Sequence, residues 1–363
     1  MDKKFNNGWV VTLEYSYSKD INAVYFSNLN LNESNAYAMD GADNRLRYLT
    51  VTNSNKYYYG STQANPNLSS AILMSNINKG YAATTTLRVQ KNYKDGFFSL
   101  AYSYMEAYNV ATGGSTASSL WSGRPVGNAD PNAPNLSYAD YYLPHRIIGY
   151  LSQDISKSKY HTTSIGIIYE GAASGVGSYT HGGDLNGDGN SGNDLMYVPR
   201  NASEINLVKV GSGGLGTGTS SDPRTPAQIW NQLNNFISQD AYLNSHRGQY
   251  VQANSVVFPW FNKFDVNFKQ DFYYVTKKNV KNTIRVTADI LNVGNLLNQN
   301  WGTFKQQTTS TPLTFEGMNG TKPSFSFPYL DAANQVPLVN SYTNINTIAS
   351  RWQLQIGVKY LFN

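Results

Sequence analysis

The chain of 363 residues carries 28 Lys and Arg against 23 Asp and Glu, a net charge of +5, and it contains no Cys. That excludes a disulfide scaffold and thiol chemistry, and the absence of any long basic run makes nucleic acid an unexpected partner. Charged residues are only 14% and aromatics 13%, which excludes a disordered polar chain, and no stretch approaches the ~18 apolar residues of a spanning helix, which excludes a helical membrane protein but not a β-barrel.

The N-terminal MDKKFNNGWVV has a charged start but no apolar run ending in a small-residue cleavage site. It reads as a chain whose signal has been removed or that starts inside a larger protein. From there, period-2 alternation marks eight strands of roughly ten residues, long enough for a tilted strand to cross a bilayer. Residues 9–19 set Trp9, Val11, Leu13, Tyr15 and Tyr17 against Thr12, Glu14 and Ser16. Residues 81–91 set Tyr81, Ala83, Leu87 and Val89 against Arg88 and Gln90, and residues 97–108 set Phe98, Leu100, Tyr102 and Tyr104 against Ser99 and Ser103. The pattern is weakest over 145–155, where Ile147 and Ile148 fall on opposite faces, and returns over 162–171 with Ile165, Ile167 and Tyr169. Residues 261–275 place Phe264, Val266, Phe268 and Phe272 opposite Lys263, Asp265, Asn267 and Lys269. Residues 282–292 alternate Ile284, Val286, Ala288 and Ile290 with Arg285, Thr287 and Asp289. The last segment alternates Trp352, Leu354, Ile356, Val358, Tyr360 and Phe362 with Gln353, Gln355, Gly357 and Lys359.

Soluble sandwiches also alternate, so the connections carry more of the argument. Links 92–96, 156–161 and 276–282 are short and basic (Lys91, Lys94, Lys157, Lys159, Lys277, Lys278), whereas links 20–80, 109–144, 172–260 and 293–350 are long. Soluble domains usually connect elements with ~4–6 residues. Short–long alternation is the habit of a transmembrane barrel, with turns on the periplasmic side and loops outside. Asn363 is then expected in the periplasm, and the aromatics at strand ends (Trp9, Tyr17, Tyr81, Tyr104, Trp352, Tyr360, Phe362) read as interfacial girdles. Within the loops, GSGGLGTGTSSDP (211–223) has the composition of a flexible linker, and 226–245 spaces Ile229, Leu233, Phe236 and Ile237 for one or two short helices.

Chemistry-bearing patterns are few. Asp184, Asn186, Asp188 and Asn190 repeat oxygen ligands as in the first half of a calcium loop, with Gly189 at the turn. The acidic residue expected at the twelfth position is replaced by Leu195, and Asp194 is the candidate substitute. A Ca2+ that pins an external loop is one reading; an Asx-rich turn without metal is the other. His145, His161, His181 and His246 form no metal or protease spacing, and no nucleophile elbow, P-loop or dinucleotide fingerprint occurs. The expectation is a protein that is not an enzyme. Glu14, Arg88, Asp265, Lys269, Arg285 and Asp289 read as lumen wall rather than acid–base catalysts. Tyr57, Tyr58, Tyr59, Trp121 and Trp301 read either as ligand-stacking rings or as packing between loops.

Several segments resemble a known family. NPNLSSAILMSN (65–76), YLPHRI (142–147), GDLNGDGNSGNDLMYVPRN (183–201), HRGQY (246–250), PWFNKFDVNFKQDF (259–272), LNVGNLLNQNWG (291–302) and RWQLQIGVKYLFN (351–363) are similar to Oar-like TonB-dependent receptors of Bacteroidetes-type bacteria. The resemblance implies an all-β outer-membrane barrel of about 22 strands with a plug and a carboxypeptidase-regulatory-like domain ahead of it, importing bulky ligands with energy passed on by TonB. It also implies that Phe362, penultimate here, belongs to the end read by the barrel-insertion machinery. Residues 1–363 would then be the C-terminal part of that barrel, an antiparallel transmembrane segment of about eight strands with long external loops and one or two loop helices. The plug and the N-terminal strands would lie elsewhere. The implied partners are outer-membrane lipid, the remainder of the receptor, TonB through that remainder, and a lipoprotein lid if one exists; the implied location is the outer membrane of a Gram-negative cell. Two alternatives stay open: a self-contained eight-stranded outer-membrane barrel acting as adhesin or anchor, and a secreted β-rich carbohydrate-binding protein or hydrolase.

Overall fold

A computed structural model describes residues 1–31, 33, 36–48, 70–111, 114–276 and 280–362. Nine strands follow one another in chain order across a single antiparallel sheet: β1 Asp2–Lys4, β2 Trp9–Lys19, β3 Tyr81–Tyr93, β4 Gly96–Asn109, β5 His145–Lys157, β6 His161–Ala173, β7 Trp260–Val275, β8 Lys281–Leu291 and β9 Gln353–Leu361. The short strand Ser137–Tyr138 pairs with the upper end of β4 and brings the sheet to ten. All eight expected strands are present. The two additions, Asp2–Lys4 and Ser137–Tyr138, correct that count. Both are too short to show an alternation, and the first is a run of charge that reads as a terminus rather than a strand.

Tight turns close one end of the sheet. Gly8, at φ 86°, lies in the link that returns β1 onto β2, and Asp95, at φ 58°, completes the turn between β3 and β4. Gly takes that left-handed conformation without a Cβ penalty and Asp tolerates it, which is what a short hairpin needs. Every long link leaves from the opposite end. Lys277 and Lys278 lie outside the described residues, as do Asn363, Tyr57, Tyr58 and Tyr59.

The pairing register sorts the side chains into two faces. One row runs Leu354, Ile290, Val266, Ile167, Leu151 and Phe98 across six strands, ending at Lys91 and Trp9. The neighbouring row, one residue along, runs Gln355, Asp289, Asn267, Gly166 and Ser152. Strand β5 forms despite its weak pattern: Ile147 pairs with Tyr102 on the apolar face and Ile148 with Ala101 on the polar one. Neighbouring strands on both sides fix its register, which is tertiary context overriding a local signal. Among the described residues the apolar face carries side chains left open. Ile356 and Val358 are 68% and 74% exposed, and Leu13, Tyr15, Phe268 and Phe272 are exposed as well. Among the described residues β1 and β9 do not pair, nor does β2 pair with β9, so the sheet has two open edges.

The hydrophobic core lies instead among the long links, which fold together over the loop end of the sheet as a cap. Helix α1 spans Ala117–Ser122, α2 Pro226–Gln239, α3 Ala241–Ser245 and α4 Val293–Leu297. No helix among the described residues is long and apolar enough to cross a membrane. The expected helical region is borne out by α2 and α3. Thr225 caps α2 by accepting from the Gln228 N–H while the Gln228 side chain returns to the Thr225 N–H, and Pro226 occupies the first turn. Its Ile229, Leu233, Phe236 and Ile237 are all buried, packed with Tyr179, Met196, Val198, Leu313 and Phe327. A four-stranded sheet of His181–Gly182, Leu313–Asn319, Lys322–Ser326 and Asn206–Leu207 supports the same core. That small sheet joins two links far apart in sequence, and its two-residue strands gave no periodicity.

Candidate functional site

The cap is organised around a buried cationic group, Arg45, which has no exposure. Its guanidinium grips Asp43 through Nε–Oδ1 and Nη2–Oδ2, both 2.9 Å, and reaches Asp194 Oδ1 at 3.1 Å and the Leu195 carbonyl at 2.6 Å. The Tyr250 hydroxyl donates to Asp43 Oδ1 at 2.9 Å, and its ring lies 5.3 Å from the guanidinium carbon. Burial alone would raise the Asp43 carboxyl, but the two-pronged contact with Arg45 and the nearby His181 hold it below the usual range. Asp194 behaves differently. Burial pushes it up to about 7; Arg45 opposes this, and the charges of Asp188 and Asp184 add to it. The difference follows from geometry, since Arg45 spends two bonds on Asp43 and one on Asp194. His181 is 1% exposed, 3.8 Å from Asp43, tilted against the Phe325 ring at 4.8 Å, and its ring nitrogens have no hydrogen-bond partner among the described residues. Burial first, and then the charge of Arg45, lower it to about 3, so it is neutral at ordinary pH.

The loop that carries the calcium-like spacing is part of this cluster. Asp184 accepts from the Gly189 N–H at 3.0 Å. Asp188 is fully buried and accepts from the Asn190 N–H and side chain through Oδ1, and from the side-chain amides of Asn186 and Asn193 through Oδ2. Asp194 Oδ2 accepts from the N–H groups of Leu185 and Asn186, tying the two ends of the loop together. The structure therefore brings Asp184, Asn186, Asp188, Asn190 and Asp194 into one compact turn, with the oxygens of Asp188 and Asp194 turned to amide donors and Arg45. Among the described residues no group of three or more His, Asp or Glu side chains is placed to hold a metal ion. Arg45, Asp43 and Tyr250 had no signature in the sequence, because nothing local distinguishes them from other polar loop residues.

On the sheet, Arg285 pairs with Asp271 at 2.7 and 2.8 Å, Asn267 with Asp289, and Arg146 with Glu170 at 2.6 Å, all on the polar face. Asp265 accepts from the Asn292 N–H and pairs with Lys263. Glu14, Arg88 and Lys269 share that face by register. The histidines stay apart: His145 bonds the Tyr102 hydroxyl, His161 bonds Ser156 and Ser158, and His246 bonds the Tyr242 carbonyl. Trp121 is buried with Leu31 and Tyr48 and donates to Asn132, so it packs loop on loop, while Trp301 remains exposed.

A cavity of about 760 Å3 opens where the cap meets the ends of β3 and β4 and is lined by Tyr81, Tyr108, Arg124, Tyr138 and Tyr250 among others. A line of rings approaches it along the strand ends: Tyr17 on Tyr81 at 6.2 Å, Tyr81 on Tyr108 at 5.2 Å, Tyr108 on Tyr138 at 4.6 Å and Tyr138 on Tyr142 at 4.7 Å. No family model, curated protein or solved structure matches the chain.

Proposed function

We propose that the chain is part of the barrel wall of an outer-membrane TonB-dependent receptor, its sheet facing lipid on one side and lumen on the other, its cap lying outside the cell. The observation that carries this reading is the unpacked apolar face, on which Leu354, Ile356 and Val358 lie exposed beside a polar row on the opposite face. Water-exposed apolar area of that extent costs roughly 25 cal/mol per Å2, whereas hydrocarbon would cover it at no such cost. Aromatic pairs at both strand ends, Tyr81 with Tyr108 and Trp9 with Phe98, support interfacial bands. The open edges favour a wall completed by further strands over a self-contained eight-stranded barrel, because unpaired strand edges are unfavourable in lipid. The role in this reading is transport with no catalytic step, and the wall and external loops are what this chain contributes to it.

The test is extraction from membranes. Expressed with the rest of such a receptor, the chain should stay in the outer-membrane fraction through carbonate washing, and protease added to intact cells should cut within the long links and spare 157–159. A chain that remains monomeric in buffer without detergent would overturn the reading.

A further inference from the structure

Strand register sorts acidic charge on the large sheet almost completely. Glu14, Asp154, Glu170, Asp265, Asp271 and Asp289 all fall on the polar face. Glu106 in β4 does not. It stands opposite Ala83, in one row with Tyr17 and on the face of Leu87 and Leu100. Among the described residues of β2 to β9 it is the one acidic side chain on the apolar face. An acidic group on a face turned to lipid is costly unless something meets it, and groups so placed mark binding or transport sites. Its Oε1 accepts from the Tyr104 hydroxyl at 2.7 Å. The nearby cations are otherwise engaged or distant: the His145 ring lies 5.4 Å from Tyr104 but bonds the Tyr102 hydroxyl, and Lys19 shares the face two strands away. Among the described residues no Lys, Arg or His forms an ion pair with Glu106.

Rings surround this carboxylate. Tyr104 and Tyr108 flank it along β4, on the same face by the two-residue period of a strand. Tyr108 meets Tyr81 at 5.2 Å and Tyr138 at 4.6 Å, and Tyr138 meets Tyr142 at 4.7 Å. Burial and Tyr138 raise the Tyr142 hydroxyl, and the charge of Glu106 adds to the rise, so the carboxylate lies within electrostatic reach of that ring as well. Ala83 contributes only a methyl group to the row, and the space beside Glu106 is bounded by Tyr17, Tyr81, Tyr104 and Tyr108. Tyr17 and Tyr104 are exposed and Glu106 is half-buried, which leaves the carboxylate open to approach.

We propose that Glu106 and the tyrosines around it form a seat for an organic ammonium ion, a choline-like or ethanolamine-like group. Tyrosine rings attract a cation through their negative faces, and the carboxylate supplies the opposite charge. A bare metal ion would ask for more oxygen ligands than one carboxylate, whereas the carbon groups of a substituted ammonium suit an apolar face. Glu106 lies close to Asn109, the loop end of β4, which is headgroup level for a strand crossing lipid. Two sources share this chemistry, a lipid headgroup and a free amine. The inference deepens the receptor reading by giving the sheet a ligand class, and it rests on that reading only for the lipid source.

The experiment is calorimetric titration of the full chain, in micelles of an uncharged sugar detergent that brings no ammonium of its own, with choline, ethanolamine and the uncharged choline isostere 3,3-dimethylbutanol. At least one of the two cations should bind at millimolar concentration or below, and the isostere about tenfold more weakly. Glu106→Gln keeps the shape and an acceptor for the Tyr104 hydroxyl, and it should erase the preference for cation over isostere. Tyr104→Leu keeps the charge but removes a ring, and it should weaken cation binding several-fold. Equal binding of cation and isostere, an unchanged preference in Glu106→Gln, undiminished binding in Tyr104→Leu, or no binding of either cation would overturn the proposal. Lipid retained through detergent washing separates the sources. A headgroup seat holds phosphatidylethanolamine over phosphatidylglycerol, and loses that preference in Glu106→Gln; a seat for a free amine shows the soluble preference with no lipid preference. Ammonium binding with no membrane retention would count against the receptor reading alone, and retention without ammonium binding against the ammonium seat alone.

Discussion

The large sheet and the cap use the same residue types in opposite ways. In the sheet, regular strands hold Ile356 and Val358 out in the open, and the ordered polar side is laced by Arg285–Asp271 and Arg146–Glu170. In the cap, mostly irregular backbone encloses Phe236, Leu233 and Phe327 at 1% exposure or less, around the ion pair of Arg45 and Asp43 with Asp194 beside it. Regular structure and hydrophobic core are therefore separated in this molecule. A strand system stabilised by its own backbone ladder does not need a core if its surroundings supply one, whereas loops in water must build theirs.

Four measurements test that separation. The largest effect is expected from Asp43→Ala, which strips Arg45 of its two-pronged partner and leaves a buried charge largely uncompensated, at about 3–5 kcal/mol. Hydrogen exchange should show the loss confined to the cap; equal loss of protection in β7 and β8 would mean the two regions are one cooperative unit. Next comes Ile356→Arg against Gln355→Arg. Folding into lipid vesicles should suffer by ~2–4 kcal/mol for the first and by much less for the second, and equal effects would remove the distinction between the faces. Thr225→Ala removes the cap of α2 and should cost about 1 kcal/mol, read by thermal melting of the helical signal.

The smallest effect is in pH. Asp194 keeps its proton up to about 7 when folded against 3.8 as its ordinary value, so stability from this group rises as pH falls through that interval. His181 stays neutral down to about 3 against an ordinary 6.5, so the unfolded chain takes up the proton first and stability falls as pH drops through 6.5 toward 3. The two trends oppose each other, and cap stability should change little between about pH 4 and 6.5. His181→Phe should break the balance and make the cap more stable as the medium is acidified in that window; a cap that instead weakens would reassign the titrating group.

Much of the sheet was legible because a strand writes its environment along itself: Leu354, Ile356 and Val358 alternate with Gln355 and Gly357 whatever lies elsewhere. The same holds for Ile229, Leu233, Phe236 and Ile237, whose spacing depends only on the helix that carries them. The strand β5 was harder, since Ile147 and Ile148 blur the alternation and its neighbours decide the register. Arg45 was not legible at all. Its partner Asp43 is two residues away, but Asp194 and Tyr250 come from another link, and contacts of that range leave no periodic trace. The loop 184–194 lay between these cases: its Asx spacing was visible, and the partner that meets Asp194 was not.

The contact between Arg45 and Asp194 spans 149 residues of sequence. Loop-closure entropy grows only logarithmically, by ~0.6 kcal/mol per doubling, yet contacts of such separation are slow to find. Strands β3 to β6 lie between the two residues, and their hairpins bring the ends of the two links to the same side of the sheet. The arginine clasp thus depends on the pairing of strands that lie between its two ends. A one-residue slip in any pairing would turn a strand over, move the link it carries, and leave Arg45 without Asp194. The clasp is therefore compatible only with a sheet in register.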